Sequence, residues 1–395
     1  MMLNLLAAAT VVLISFDGLL PKQVTSKTAP NLFSFAQKGV SAKYMEPVFP
    51  SSTFVNHASL ITGCTAGEHG IVSNNFIDPK RGKFGMEDDS NWQECEPLWA
   101  ASSRQKMNTA IYVWPMSQTP WHGAKPAYVI PLPSSKEAKE NFFQNFDSKK
   151  EWAQLLSWIK LPESKRPQLI LGYFPDVDTK GHKYGPFAKE TLKQVTLYDQ
   201  KFGNFLGALK EMGLQNKIDI VIVSDHGMVT PKKPVYTQAM LEGLKEKLGE
   251  GSFEYAQSSA TIINFYFKNR SDITTAKNYL KTFSHLNIHE ATSFPKEWHY
   301  QNPRSGDLVV TVDPPYYMIH KKQNPAERKG YHGYDPKFAE VRAFFAAQGP
   351  DFKPAQLDKV RNIDIAPTIA KILKISFDGK KTGKPLDNVL ASPLN

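Results

Sequence analysis

Four segments of this chain are nearly continuous apolar, β-rich runs: Thr10–Phe16 (TVVLISF), Thr109–Trp114 (TAIYVW), Gln168–Phe174 (QLILGYF) and Lys217–Ser224 (KIDIVIVS). A strand with one wet face alternates apolar and polar residues. A run that is apolar throughout has to bury both faces, which is the condition of a strand inside a parallel sheet. Helix-patterned stretches separate the runs. They cover residues 27–39, closed by Gly39; Thr53 to Ile61, closed by Thr62-Gly63; Glu96 to Gln105; and 187–211, ended by Gly213. Residues 137–160 are also helix-patterned, with Trp152, Leu155, Leu156, Trp158 and Ile159 as a core-facing stripe. Strand and helix in alternation predict an α/β protein with a largely parallel central sheet flanked by helices.

A chain of 395 residues is long for one domain. Residues 231–330 change character, with a helix (Gln238–Lys247), a strand (Ser259–Phe267), a helix (Ile273–Phe283) and a strand (Gly306–Val312). They are expected to form a smaller inserted α+β subdomain. The catalytic core is then residues 10–230, completed by 331–395, with a strand at Val341–Ala347 and a last helix from Ile363 to Leu373. Residues 116–136 read as a long surface loop of the kind that binds ligands. The stretch Gly379–Lys384 lacks the spacing and the strand of a phosphate loop and reads as a turn.

The chemistry collects at the ends of the apolar runs. Asp17-Gly18 ends the first. Pro175-Asp176-Val177-Asp178-Thr179-Lys180-Gly181-His182 follows the third, with Asp178 and His182 four apart across a loop, a spacing that lets a carboxylate and an imidazole meet on one ion. Asp225-His226-Gly227 ends the fourth. Open α/β sheets keep their chemistry at this edge. Taken singly, each residue has a plainer reading as a cap or turn, but three strands that end alike favour one shared site. His332 sits between glycines, which let backbone approach a ligand closely. His285, His289, His299 and His320 have no ligand-like neighbours in sequence and read as surface or hydrogen-bonded histidines. Phe49-Pro50-Ser51-Ser52-Thr53 delivers a hydroxyl to a helix head, where Thr53 is either an N-cap or a nucleophile aimed at an anion bound there. Asn74 is either a turn residue or a neutral donor to an oxyanion.

The net charge is +10 with the lysines scattered, which favours a solvated surface over one that binds a nucleic-acid polymer, while still gathering small anions. Cys64 and Cys95 are the two cysteines, too few for a disulfide framework or a thiolate zinc site, so a metal here needs His and carboxylate ligands; whether the two pair is open. No apolar run is long enough to span a membrane. Met1–Ala9 resembles the tail of a secretory signal but lacks its basic start and is short, so it reads either as a clipped signal or as an ordinary frayed N-terminus; a secreted or periplasmic protein is expected.

The strings SFDG, PSSTFVNH, HGIVSNN, DTKGHKYGP, VSDHGM and YHGYDP, in this order, resemble the nucleotide pyrophosphatase/phosphodiesterase family of the alkaline phosphatase superfamily; CEPLW and VWPMS resemble further family strings. The resemblance runs from about Val11 to Gly349-Pro350 and the final helix. It departs from the family at Val55, where a Pro is usual, and in the DTKGH string. It implies an alkaline-phosphatase-like fold and two Zn²⁺ ions. One would be held by Asp178, His182 and His332, the other by Asp17, Asp225 and His226 with the hydroxyl of Thr53. Thr53 would be the nucleophile of a phospho-threonine mechanism. Asn74 and the amide at the helix head would bind a non-bridging oxygen, and Phe54 and Tyr173 would flank the substrate. The implied activity is hydrolysis of a small-molecule nucleotide phosphodiester or pyrophosphate to a nucleoside 5′-monophosphate. The same metal core on a choline-type phospholipid diester or on a phosphonate is the alternative.

Overall fold

The structure, a computed structural model, describes residues 9–133, 138, 141, 142, 146–320, 328–392 and 394. The signal-like start up to Ala8, parts of the 137–160 stretch and the end of the 116–136 loop lie outside the described residues. In chain order the strands are β1 (Thr10–Phe16), β2 (Val40–Glu46), β3 (Asn75–Asp78), β4 (Gly82–Gly85), β5 (Thr109–Tyr112), β6 (Tyr128–Ile130), β7 (Leu169–Phe174), β8 (Ile218–Val223), β9 (Lys233–Tyr236), β10 (Phe253–Ser259), β11 (Ile262–Phe267), β12 (Asn287–Glu290), β13 (Leu308–Thr311), β14 (Tyr316–Ile319), β15 (Phe345–Gln348) and β16 (Ala355–Arg361).

The apolar runs form the middle of an eight-stranded sheet ordered β16-β2-β15-β8-β1-β7-β5-β6. Every residue of β1, β7 and β8 is buried. β15 alone runs antiparallel, between β8 and β2. Helices cover the sheet. Phe16, on β1, meets Phe174 edge-on at 5.3 Å and Tyr198 of the Lys189–Glu211 helix at 5.2 Å. Buried aromatics of this kind contribute roughly 1.5–3 kcal/mol each. The register places the site: Phe16 pairs with Phe174 and Ser15 with Val223. Asp17, the Asp176–Tyr184 helix and Asp225 therefore leave the sheet at one edge.

Three readings change in detail. The strand expected over Ser259–Phe267 begins at Ile262 as β11, and a further strand, β10, precedes it across the turn at Ala260-Thr261. With β12 and β13 they make a separate antiparallel sheet, β10-β11-β13-β12. The Gln238–Leu248 and Arg270–Leu280 helices share with it a second apolar cluster that includes Leu244, Phe265, Leu280 and Val310. The 116–136 loop carries β6, which extends the main sheet by pairing with β5. The strand expected from Val341 starts at Phe345, because Ala339–Val341 is a 3-10 turn. Cys64 and Cys95 form a disulfide that ties the end of the Thr53–Thr62 helix to the segment before the Leu98–Arg104 helix. Among the described residues no helix is long and apolar enough to cross a membrane.

Candidate active site

Thr53 is the first residue of the Thr53–Thr62 helix, and Ser52 occupies the cap position without a side-chain cap bond. The N-cap reading of Thr53 is thereby corrected. Its hydroxyl is not spent on the helix and lies 3.3 Å from His226 Nε2. The helix head offers a partial positive charge to an anion.

The three imidazoles are oriented alike. Nδ1 of His182 donates to the carbonyl of Gly330 at 2.7 Å, Nδ1 of His226 to that of Gly227 at 2.9 Å, and Nδ1 of His332 to that of Ser51 at 3.1 Å. A carbonyl oxygen accepts only, so each ring carries its hydrogen on Nδ1 and presents Nε2 to the site. This is how metal-binding histidines are held. His226 and His332 stack with ring centroids 3.8 Å apart.

The carboxylates complete the centre. Asp225 Oδ1 accepts the Gly18 amide at 3.1 Å, and its Oδ2 lies 3.0 Å from His226 Nε2. Asp17 Oδ2 accepts the Tyr173 hydroxyl at 2.6 Å, and its Oδ1 lies 3.5 Å from His226 Nε2. Asp178 Oδ2 is 3.2 Å from His182 Nε2, and Oδ1 is 3.7 Å from His332 Nε2. Gly18 takes φ +71°, and a Cβ there would come within 3.0 Å of the Asp178 Cα. Glycine is what lets the chain turn this close to the site.

Burial and the neighbouring carboxylates Asp225 and Asp178 push Asp17 well above the usual carboxylate range. Burial acts the same way on Asp225, but His226 and His57 outweigh it and hold Asp225 down at about 2. His182 likewise holds Asp178 low against its burial. Burial keeps His332 well below the ordinary imidazole value, whereas at His226 the pull of Asp225 exceeds the desolvation.

Asp17 Oδ1, Asp178 Oδ1 and Asp225 Oδ2 are buried and accept no hydrogen bond. Buried anionic oxygens without donors are costly. Here they crowd against Nε2 atoms, and their need is for a cation. Asp178, His226 and His332 form one group with ligand atoms within 4.8 Å of one another, and Asp17, Asp225 and His226 form a second. The donor set fits a metal centre. His226 belongs to both groups, and His182 joins through Asp178.

Four sequence expectations are altered. Asp178 and His182 do not face across a loop; they lie one turn apart on the Asp176–Tyr184 helix. The amide of Phe54 is not free for substrate, since it donates to Asn74 Oδ1 at 3.0 Å. This bond fixes the Asn74 side chain with its NH₂ as the remaining donor. Tyr173 does not face a cleft: it is 4% exposed, its hydroxyl is bonded to Asp17, and its ring meets the His57 ring edge-on at 4.9 Å. With Tyr173 turned to Asp17, the two aromatics do not line one cleft together, and Phe54 packs edge-on against Phe84 at 5.9 Å. Two buried residues beside the centre, Ser15 and His57, carry no motif of their own in the sequence. The signal for His57 was its place one helical turn after Thr53.

A hydroxyl at a helix head, beside carboxylates and imidazoles at one edge of a mostly parallel sheet, belongs to an alkaline-phosphatase-like α/β fold. The profile of the type I phosphodiesterase / nucleotide pyrophosphatase family matches residues 11–335, and the chain belongs to that family. It is 29% identical to an uncharacterised pyrophosphatase/phosphodiesterase of Schizosaccharomyces pombe, over 93% of this chain and 77% of the relative. It is 28% identical to a venom phosphodiesterase of Naja atra, over 97% of this chain and 46% of that protein. It is 27% identical to ectonucleotide pyrophosphatase/phosphodiesterase family member 3 of Bos taurus, over 92% and 42%. The chain thus spans less than half the length of these last two relatives. The fold matches murine ectonucleotide pyrophosphatase/phosphodiesterase 5, solved as an inactive variant in complex with AMP, with a TM-score of 0.84 and 22% identity, over 97% of this chain and all of that one.

Proposed function

We propose that the chain hydrolyses nucleotide phosphodiester or pyrophosphate bonds to nucleoside 5′-monophosphates through a phospho-threonine intermediate. The observation that carries this reading is the Thr53 hydroxyl, free of any capping bond and 3.3 Å from the Nε2 of His226 in the middle of the metal-binding set. Asp178, His182 and His332 would hold one zinc ion, and Asp17, Asp225 and His226 the second. When bound, the ions supply Lewis-acid charge that makes the hydroxyl acidic and balances the phosphoryl oxygens. Thr53 Oγ1 attacks phosphorus opposite the leaving oxygen, forming one P–O bond as the other breaks. Water then cleaves the ester on Thr53 and restores the hydroxyl.

The NH₂ of Asn74 donates to a non-bridging oxygen. A neutral donor suits a diester, whose transition state carries one charge fewer than a monoester's. We read residues 231–330 as a subdomain beside the core, and the substrate as a small molecule rather than a nucleic-acid polymer. The Cys64–Cys95 disulfide supports a secreted or periplasmic location, since such bonds persist in oxidising compartments.

The test is hydrolysis of the p-nitrophenyl ester of thymidine 5′-monophosphate against p-nitrophenyl phosphate, with and without chelator. A chelator-sensitive preference for the diester is expected. A preference for the monoester would refute the argument from Asn74.

A further inference from the structure

We propose that His57 is a positioning residue that holds the nucleophile's helix turn and the Asp225 carboxylate in fixed relation, with Ser15 as its anchor on the sheet. The proposal rests on the reading of Asp225 as a metal ligand and Thr53 as the nucleophile. His57 is completely buried. Its Nδ1 lies 2.8 Å from the carbonyl oxygen of Thr53, its Nε2 lies 2.9 Å from Ser15 Oγ, and its Nδ1 is 3.4 Å from Asp225 Oδ2.

These three contacts fix the hydrogens. The Thr53 carbonyl only accepts, so Nδ1 carries the ring hydrogen. Nε2 then takes the hydroxyl hydrogen of Ser15. The Nδ1–H bond is directed at the Thr53 carbonyl, and Asp225 Oδ2, which accepts no hydrogen bond, lies 3.4 Å from the same nitrogen. The ring therefore places the positive end of a dipole against one carboxylate of the metal set. It does so from the turn that carries the nucleophile.

The surroundings hold the ring in place. The Trp114 ring stands edge-on to it at 5.1 Å and the Tyr173 ring at 4.9 Å. Ser15 pairs with Tyr173 in the sheet, and Tyr173 in turn holds Asp17. Two carboxylates of the set are thus steadied by buried neighbours that belong to neither donor group. Partners of this kind, one step behind the ligands, typically change metal affinity or activity by about 10- to 100-fold. Asparagine at position 57 can set its amide NH₂ where Nδ1–H now stands. Leucine fills similar space with no donor.

The experiment compares wild type, His57→Asn and His57→Leu by titrating the metal-free proteins with Zn²⁺ against a fluorescent chelator, together with kcat and KM for the thymidine ester. His57→Leu is expected to lose about 10- to 100-fold in Zn²⁺ affinity, with kcat lowered and KM unchanged. His57→Asn is expected to recover most of both losses. Wild-type Zn²⁺ affinity in folded His57→Leu would overturn the proposal. An Asn variant as poor as the Leu variant would also overturn it, since that pattern means packing alone. Should His57→Leu fail to fold, Ser15→Ala carries the test: a smaller weakening of Zn²⁺ binding supports the anchor, and unchanged binding rejects it. The metal titration needs no substrate, so wild type that binds Zn²⁺ but leaves the ester intact would count against the proposed activity and not against His57.

Discussion

The two edges of the main sheet both bury carboxylates, and they handle them differently. At the edge where β1, β7 and β8 end, Asp17, Asp178 and Asp225 stand among imidazoles whose Nε2 atoms face inward. At the opposite edge, Asp219 near the start of β8 meets Asp351, brought there by the antiparallel β15. The Asp351 amide donates to Asp219 Oδ1 at 3.1 Å. Burial and the nearby Asp351 carboxylate, to which it is also hydrogen-bonded, raise Asp219 to about 8. Both groupings of described residues that could hold a metal lie at the first edge. A buried carboxyl pair relieves its repulsion by keeping a proton. The first edge shares that tendency at Asp17 but adds imidazoles whose Nε2 atoms face the carboxylates. Buried acid is therefore not the mark of a site; acid facing imidazoles with fixed Nδ1 hydrogens is.

The comparison is broken most directly at Thr53. Thr53→Ala is expected to lower kcat by at least about 10³-fold, as removal of a nucleophile does, while metal analysis finds the ions still bound. Substantial activity in that variant would remove the mechanism and leave the metal centre standing. Asp225→Asn comes next. It takes one charge from the centre, and the expected result is fewer metal ions per chain and a loss on the order of 10² in kcat/KM. An unchanged metal content would mean that Asp225 is held as Asp219 is, by its protein neighbours alone.

Asp219→Asn tests the other edge, through stability. The native pKa of Asp219, about 8, lies above the ordinary carboxylate value, so the folded chain binds this proton more tightly than the unfolded one. Its stabilisation is complete below about pH 4 and is lost as the pH rises through 8. Asp219→Asn should therefore flatten the fall in stability between pH 5 and 9 and gain about 2 kcal/mol at the alkaline end, discounted for coupling to Asp351. Urea unfolding at pH 5 and pH 9 measures it, and parallel curves for the two proteins would contradict the assignment. Catalytic constants should not change.

The sheet, and the gathering of Asp17, Asp178, Asp225 and His226 at one of its edges, were legible because a strand buried on both faces must read as an unbroken apolar run, and such runs end at that edge. Other features were hidden for physical reasons. The direction of β15 depends on how the chain returns from residues far away, which local sequence does not carry. The Asp176–Tyr184 helix looked like a loop because of Gly181. A Cβ at Gly181 would sit 2.6 Å from the Met228 sulfur, so that glycine serves close packing rather than a turn. The Asn74–Phe54 bond, which takes the helix-head amide, joins residues 20 apart and leaves no local signature.

Tyr173 failed for a related reason. When both faces of a strand are apolar, alternation does not tell which way a given ring points. Tyr173→Phe turns that ambiguity into the smallest and sharpest test. It keeps the ring and removes only the hydroxyl that donates to Asp17 at 2.6 Å. If the ring stacked on a nucleobase, the variant would be nearly silent. If the hydroxyl steadies Asp17, kcat should fall by roughly 10-fold, the loss seen when a group behind a metal ligand is removed. The fall should be equal for p-nitrophenyl esters with and without a base. A drop in KM discrimination between those two substrates, with kcat intact, would return Tyr173 to the substrate's side of the site.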